Sequence, residues 1–142
     1  MNICIVGTGY VGLVTAACFA EMGNFVQCVD INPDIVENLQ NGKIHIYEPG
    51  LEDMVKRNYA GGRLNFTTRI STGMQEALFV FICVGTPSKG DGSCDMSFVY
   101  EVAENIGKNM QEYKVVVNKS TVPVGTANKV GEIVKEELNN RG

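Results

Sequence analysis

The chain has 142 residues, 44% of them hydrophobic and 20% charged, with 12 lysines and arginines against 16 acidic residues and a formal net charge of -4. That length supports one domain with a sizeable core, and the scattered basic residues offer no stripe for nucleic acid or an anionic membrane surface. No apolar run approaches the roughly 18 residues of a membrane span, and the N-terminus lacks the flanks of a signal peptide, so a cytoplasmic protein is expected.

The elements alternate between short apolar strands and amphipathic helices, which predicts an α/β doubly wound parallel sheet of Rossmann-like type with helices on both faces. Asn2 to Val6 reads as a buried strand, Leu13 to Gly23 as a helix, and Asn24 to Asp30 as a second strand. Asn32 is a good N-cap with Pro33 at the first helical position, so a helix is expected over residues 33–40. An irregular connection then leads to a helix from Gly50 to Tyr59, a short strand at Leu64-Asn65-Phe66 and a brief helix over residues 71–77. Leu78 to Val84 is the longest unbroken apolar run and is expected to be a central strand. A polar loop over residues 88–95, a helix from Ser97 to Met110, a strand from Tyr113 to Asn118 and a helix from Thr126 to Leu138 complete the order. Five strands fall one short of a complete dinucleotide fold, so the chain reads as a domain, residues 1–142, of a longer protein truncated before a sixth strand.

The first turn carries the most specific signal. Gly7-Thr8-Gly9-Tyr10-Val11-Gly12 lies between a strand and a helix, and Asp30 ends the next strand about 20 positions on, the context a dinucleotide-binding loop requires. Gly7 permits a tight turn, Gly9 permits close approach of a pyrophosphate, and Gly12 permits close packing of the helix. The helix N-terminus presents unpaired N–H groups and a partial positive charge to an anion. The Asp30 carboxylate accepts from a ribose diol and repels a 2′-phosphate, which favours NAD over NADP.

Ligands of open α/β sheets sit at the carboxyl ends of the strands, near the reversal of strand order. Two such ends carry Gly85-Thr86-Pro87 and Lys119-Ser120-Thr121. The Thr86 and Thr121 hydroxyls there can bond a ribose, a nicotinamide amide or a water, or else merely satisfy their own turns. Pro87 and Pro123 stiffen both turns.

Four motifs occur in order: Gly7 to Gly12, Tyr47-Glu48-Pro49-Gly50-Leu51, Cys83-Val84-Gly85-Thr86-Pro87 and Lys119-Ser120-Thr121-Val122-Pro123-Val124-Gly125. Together they closely resemble the N-terminal NAD-binding domain of the UDP-glucose/GDP-mannose dehydrogenase family, over essentially the whole chain. Within that family the resemblance is greatest to the UDP-glucose 6-dehydrogenase branch, with the GDP-mannose 6-dehydrogenase branch next. It implies an oxidoreductase of polysaccharide precursor synthesis that converts the sugar's C6 alcohol to a carboxylate in two NAD-dependent steps. UDP-glucose is the implied partner, and the full-length protein is implied to be a homo-oligomer. It further implies that Val11, Asp30, Thr86 and Thr121 touch NAD, and that Thr121 assists catalysis by positioning a water or a proton-transfer group. The glycine-loop residues Gly7, Thr8, Gly9, Tyr10 and Gly12 complete the expected cofactor set.

The family's nucleophile is a cysteine in a Gly-Gly-Ser-Cys segment followed by Pro-Lys-Asp, in a distant C-terminal region, so this chain alone is expected to bind NAD without turnover. Gly92-Ser93-Cys94 mimics that segment, but Asp95-Met96 follows it, and the adjacent carboxylate disfavours a thiolate. Cys94 is therefore read as incidental. Cys4, Cys18, Cys28 and Cys83 are read as small buried apolar residues, and no metal site is proposed. Ile35 stands where many family members carry a basic residue. His45, the only histidine, is read as packing its loop, and Glu132, Glu136 and Glu137 with Lys129 and Lys135 as a solvated helix face. Two other readings stay open: a non-enzymatic NAD-sensing regulatory module, and a dehydrogenase of related architecture, although the third and fourth motifs favour neither.

Overall fold

A computed structural model describes all 142 residues, Met1–Gly142. The strands are β1 (Asn2–Val6), β2 (Phe25–Val29), β3 (Leu64–Thr67), β4 (Phe79–Ile82) and β5 (Val115–Asn118). The helices are α1 (Tyr10–Glu21), α2 (Pro33–Gln40), α3 (Leu51–Ala60), α4 (Ile70–Met74), α5 (Ser97–Asn109) and α6 (Thr126–Arg141). All pairings are parallel and the strand order is β3-β2-β1-β4-β5. From β1 the chain builds outward to β3, then returns to the other side of β1 for β4 and β5. The order therefore reverses between β1 and β4.

β1 is apolar at nearly every position because both of its faces are covered. Ile3 and Ile5 face one core with Leu13, Leu39, Val55 and Leu64, while Cys4 and Val6 face a second core with Met74, Val80, Val99 and Ile106. Helices α1, α2 and α3 thus close one face of the sheet, and α4, α5 and α6 the other. Asn32 caps α2 as expected, its Oδ1 accepting from the Asp34 and Ile35 N–H groups. Ile35 packs half-buried against the first core, so an apolar residue there serves packing. No helix is long and apolar enough to cross a membrane.

The differences from the sequence reading have physical causes. Helix α1 begins at Tyr10 rather than Leu13, with Gly9 as its N-cap, so half of the glycine motif is already helical. Cys18 is exposed: Leu13, Ala16, Ala17 and Ala20 fill the i, i+3, i+4, i+7 stripe of α1, which leaves position 18 on the solvent side. His45 is also exposed, because its half-buried neighbours Ile44 and Ile46 pack the loop in its place. The polar loop after β4 is a small hairpin. Lys89 N–H donates to the Ser93 carbonyl (2.7 Å), Asp95 N–H to the Pro87 carbonyl (2.8 Å), and Asp91 Oδ1 accepts from the Ser93 N–H and hydroxyl. Glu137 leaves the solvated face of α6 and turns toward Lys108 on α5 (4.0 Å), whereas Lys129 and Glu132 pair at i, i+3 (3.6 Å).

Candidate functional site

The carboxyl ends of β1, β2 and β4 frame an open cleft of about 380 Å³ at the reversal of strand order. Gly7, Thr8 and Gly9 form its floor, Asp30 and Ile31 one side, and Cys83, Val84 and Gly85 the other. Its volume lies within the range of small-molecule pockets.

The three motif glycines do different work. Gly7 has φ +99°, and a Cβ there would lie 2.7 Å from the Cys83 carbonyl oxygen, so both the turn and the approach to the end of β4 require glycine. A Cβ on Gly12 would lie 1.8 Å from the Gly7 carbonyl oxygen. Gly12 therefore lets the first turn of α1 fold down on its own loop. Gly9 has ordinary dihedrals (φ -69°, ψ -166°) and nothing within 4 Å of where a Cβ would stand. Open space lies there, next to the free N–H groups of the α1 N-terminus. No side chain caps that terminus and no acidic residue occupies its first turn, so nothing within the chain competes with an incoming anion.

Asp30 is held in place. Its Oδ2 accepts from the Thr8 backbone N–H (3.0 Å) and from the Thr8 hydroxyl (2.6 Å), and its Oδ1 accepts from the Asn32 N–H (3.0 Å). Thr8 borders the cleft yet has no exposed surface. Tyr10 and Val11 stand exposed on the first turn of α1, outside the cleft, and the Tyr10 hydroxyl donates to the Tyr47 carbonyl (3.1 Å). That bond ties the irregular segment before α3 to the start of α1.

On the other half of the sheet, the Thr86 hydroxyl donates to the Thr121 carbonyl (2.7 Å) and the Ser120 hydroxyl to the Val84 carbonyl (2.7 Å). The loops after β4 and β5 are thereby clamped together. The structure brings Thr86 and Thr121 side by side, with Thr121 exposed, but neither borders the cleft of the glycine loop. Cys83, beneath that loop, is buried, and burial pushes its thiol up to about 11, which suits packing rather than nucleophilic attack.

Sequence reasoning missed the fourth wall. Phe98, Glu101, Val102 and Asn105 of α5 line the cleft at i, i+3, i+4 and i+7. The spacing was visible, but two polar residues interrupt the stripe, and a helix face turned to a ligand crevice reads like one turned to solvent.

These residues fit a dinucleotide, with room and free N–H groups for a pyrophosphate at Gly9 and an ordered carboxylate at the end of β2. Comparison with known proteins agrees. The model of the UDP-glucose/GDP-mannose dehydrogenase family NAD-binding domain matches residues 1–142. A UDP-glucose 6-dehydrogenase of Pseudomonas aeruginosa is 51% identical over 141 residues, 99% of this chain and 31% of that protein. One from Bacillus subtilis is 47% identical over 140 residues, 99% of this chain and 30% of that protein. Among solved structures, a UDP-glucose dehydrogenase from Pyrobaculum islandicum superposes with a TM-score of 0.91 at 42% identity, covering 95% of this chain and 32% of that one. A GDP-mannose dehydrogenase from Pseudomonas aeruginosa, in a ternary complex, gives 0.91 at 37% identity, covering 96% and 32%. The chain thus spans about a third of the length of the curated relatives it matches.

Proposed function

The chain belongs to the UDP-glucose/GDP-mannose dehydrogenase family as its NAD-binding domain, and from that membership we propose that it serves an enzyme oxidising the C6 alcohol of UDP-glucose to the carboxylate in two NAD-dependent steps. The observation that carries the cofactor assignment is the Asp30 carboxylate, fixed across from the glycine loop at the reversal of strand order. NAD, when bound, supplies the hydride acceptor.

The chain's own residues bind and orient. The open space at Gly9 and the first-turn N–H groups of α1 take the pyrophosphate, and Asp30 takes the adenosine ribose. Thr86 and Thr121, clamped side by side, are assigned to the nicotinamide end. With its carbonyl engaged by Thr86, the Thr121 hydroxyl is free to position a water or a proton-transfer group near the reacting carbon. UDP-glucose is favoured as substrate by 51% and 47% identity to two UDP-glucose 6-dehydrogenases. GDP-mannose is the second reading, supported by the equal structural match to a GDP-mannose dehydrogenase.

Calorimetric titration of the 142-residue chain tests the cofactor: NAD binds, NADP binds far more weakly, and Asp30→Ala loses the preference. Equal NAD binding by the parent and Asp30→Ala would overturn the role of Asp30. Oxidation of UDP-glucose or of GDP-mannose by the full-length protein, followed by nicotinamide reduction, decides the substrate.

A further inference from the structure

The two-residue contact between the glycine loop and the end of β2 goes beyond what a dinucleotide loop requires. An acidic residue at this place needs only to reach a ribose. Here Asp30 is bonded from three sides before any ligand arrives: by the Thr8 N–H and hydroxyl on Oδ2, and by the Asn32 N–H on Oδ1. An ionised carboxylate offers roughly four acceptor sites, so about one remains open, on Oδ1. The Thr8 hydroxyl bond is short, 2.6 Å, as charge-assisted bonds are, and Thr8 is fully buried, so its rotamer is set by packing.

We propose that Thr8 is a positioning residue: its hydroxyl locks the Asp30 carboxylate so that Oδ1 faces the cofactor's adenosine ribose, and this lock sets the preference for NAD over NADP. The proposal rests on Asp30 being the ribose acceptor. A carboxylate already ordered loses little rotational freedom when the ribose docks. It also cannot swing aside to relieve repulsion from a 2′-phosphate. Thr8 thereby works on affinity and on discrimination without touching the ligand through its side chain. Asn32 extends the device, because the residue that steadies Oδ1 through its N–H also caps α2 through its side chain.

The test is a double-mutant cycle read by calorimetry with NAD and with NADP, each variant being checked for folding by circular dichroism. Thr8→Val keeps the shape and removes the hydroxyl; it is expected to weaken NAD about tenfold, in line with one hydrogen bond to a charged group. NADP binding should fall less, so the ratio between the two shrinks. Thr8→Ser restores the hydroxyl and should recover NAD binding to within about threefold of the parent. In the Asp30→Ala background, Thr8→Val should cost nothing further. If Thr8→Val does not fold, Thr8→Ala carries the same expectations. A Thr8→Val chain that binds NAD like the parent while Asp30→Ala does not would overturn the role of Thr8 and leave Asp30 standing. Independent losses in the double variant, or equal losses for NAD and NADP, would overturn it as well. If Asp30→Ala binds NAD normally, the ribose assignment falls and the proposal with it.

Discussion

A methyl group added at Gly12 would sit 1.8 Å from the Gly7 carbonyl oxygen, a backbone atom that can move only if the loop or α1 moves. At Gly9 the same methyl group meets nothing within 4 Å and the dihedrals suit any residue. Gly12→Ala is therefore expected to destabilise the fold by at least about 1–3 kcal/mol, in the manner of core overpacking. Gly9→Ala should hold its melting temperature but bind NAD more weakly, because the methyl group occupies the approach to the backbone. Thermal melts and NAD titrations of the two variants check this, and equal loss of stability in both would contradict it. The motif's spacing and the separate roles of Gly9 and Gly12 were legible in the sequence, but the contact that forbids a side chain at Gly7 was not. That depends on the end of β4, more than 70 residues away in the chain. The cysteines divide in a similar way. Burial pushes the Cys4 thiol up to about 12 and Cys28 well above its ordinary value, while Cys18 is exposed. A thiol reagent should label Cys18 and half-exposed Cys94 in the native chain and spare Cys4, Cys28 and Cys83 until it unfolds. The same shifts give a pH dependence. Above the ordinary thiol value of 9.0 the unfolded chain releases these protons and the folded chain keeps them, so stability falls as pH rises from about 9 toward 12. The slope is on the order of 1.4 kcal/mol per pH unit for each protected thiol, and urea melts across that interval measure it.

At the scale of elements, α5 and α6 form a tightly fitted pair. A Cβ on Gly107 would lie 2.6 Å from the Glu137 Cβ and 2.9 Å from the Val134 carbonyl oxygen, so glycine here sets how closely the two helices approach. Arg141, in the last turn of α6, donates to the Lys108 and Met110 carbonyls and closes the C-terminal end of α5. Gly107→Ala should force the helices apart and lower stability by about 1–3 kcal/mol. The cleft face of α5 carries Phe98, Glu101 and Asn105, whereas Gly107 faces α6, so the folded fraction should keep its NAD affinity. Denaturant unfolding with a parallel titration separates the two effects; an unchanged midpoint would mean that α6 can shift away from position 107 at no cost. Most elements were legible from sequence because their signals are local: Asn32-Pro33 starts α2, and apolar runs mark the strands. The packing of α6 was not. Glu137 belongs to an acidic, solvent-like pattern, and only the nearness of Gly107 and Lys108 draws it inward. The hairpin at residues 87–95 likewise has the sequence of a loop, since its Gly and Asp residues mark turns without saying that two short arms pair.

For the whole molecule, the decisive feature is the return of the chain from β3 to the far side of β1, which brings the glycine loop, Asp30, the end of β4 and α5 around one cleft. Alternating strands and helices made the doubly wound architecture legible, and the glycine motif placed one ligand half in it. The remaining walls come from tertiary neighbours with no motif of their own. This assembly supports a last prediction about what the 142 residues do by themselves. A ligand that binds only the folded state stabilises it by about 2.7 kcal/mol at a hundred times its dissociation constant. For a domain of this size that is a rise of roughly 5–10 °C in melting temperature. NAD at that excess should produce such a shift, while NADP at the same concentration should produce little, because the fixed Asp30 carboxylate opposes its 2′-phosphate. UDP-glucose added with NAD should yield no C6 carboxylate, because the second oxidation needs a thiol to capture the aldehyde. The buried Cys4, Cys28 and Cys83 are protonated and packed, Cys18 lies on the outer face of α1, and Cys94 is followed by Asp95 in the hairpin. None of the five therefore stands as an activated thiol at the clamped threonines of β4 and β5. Formation of the C6 carboxylate by this chain from UDP-glucose and NAD would show that one of them does, and Cys94→Ser would be the first variant to identify it.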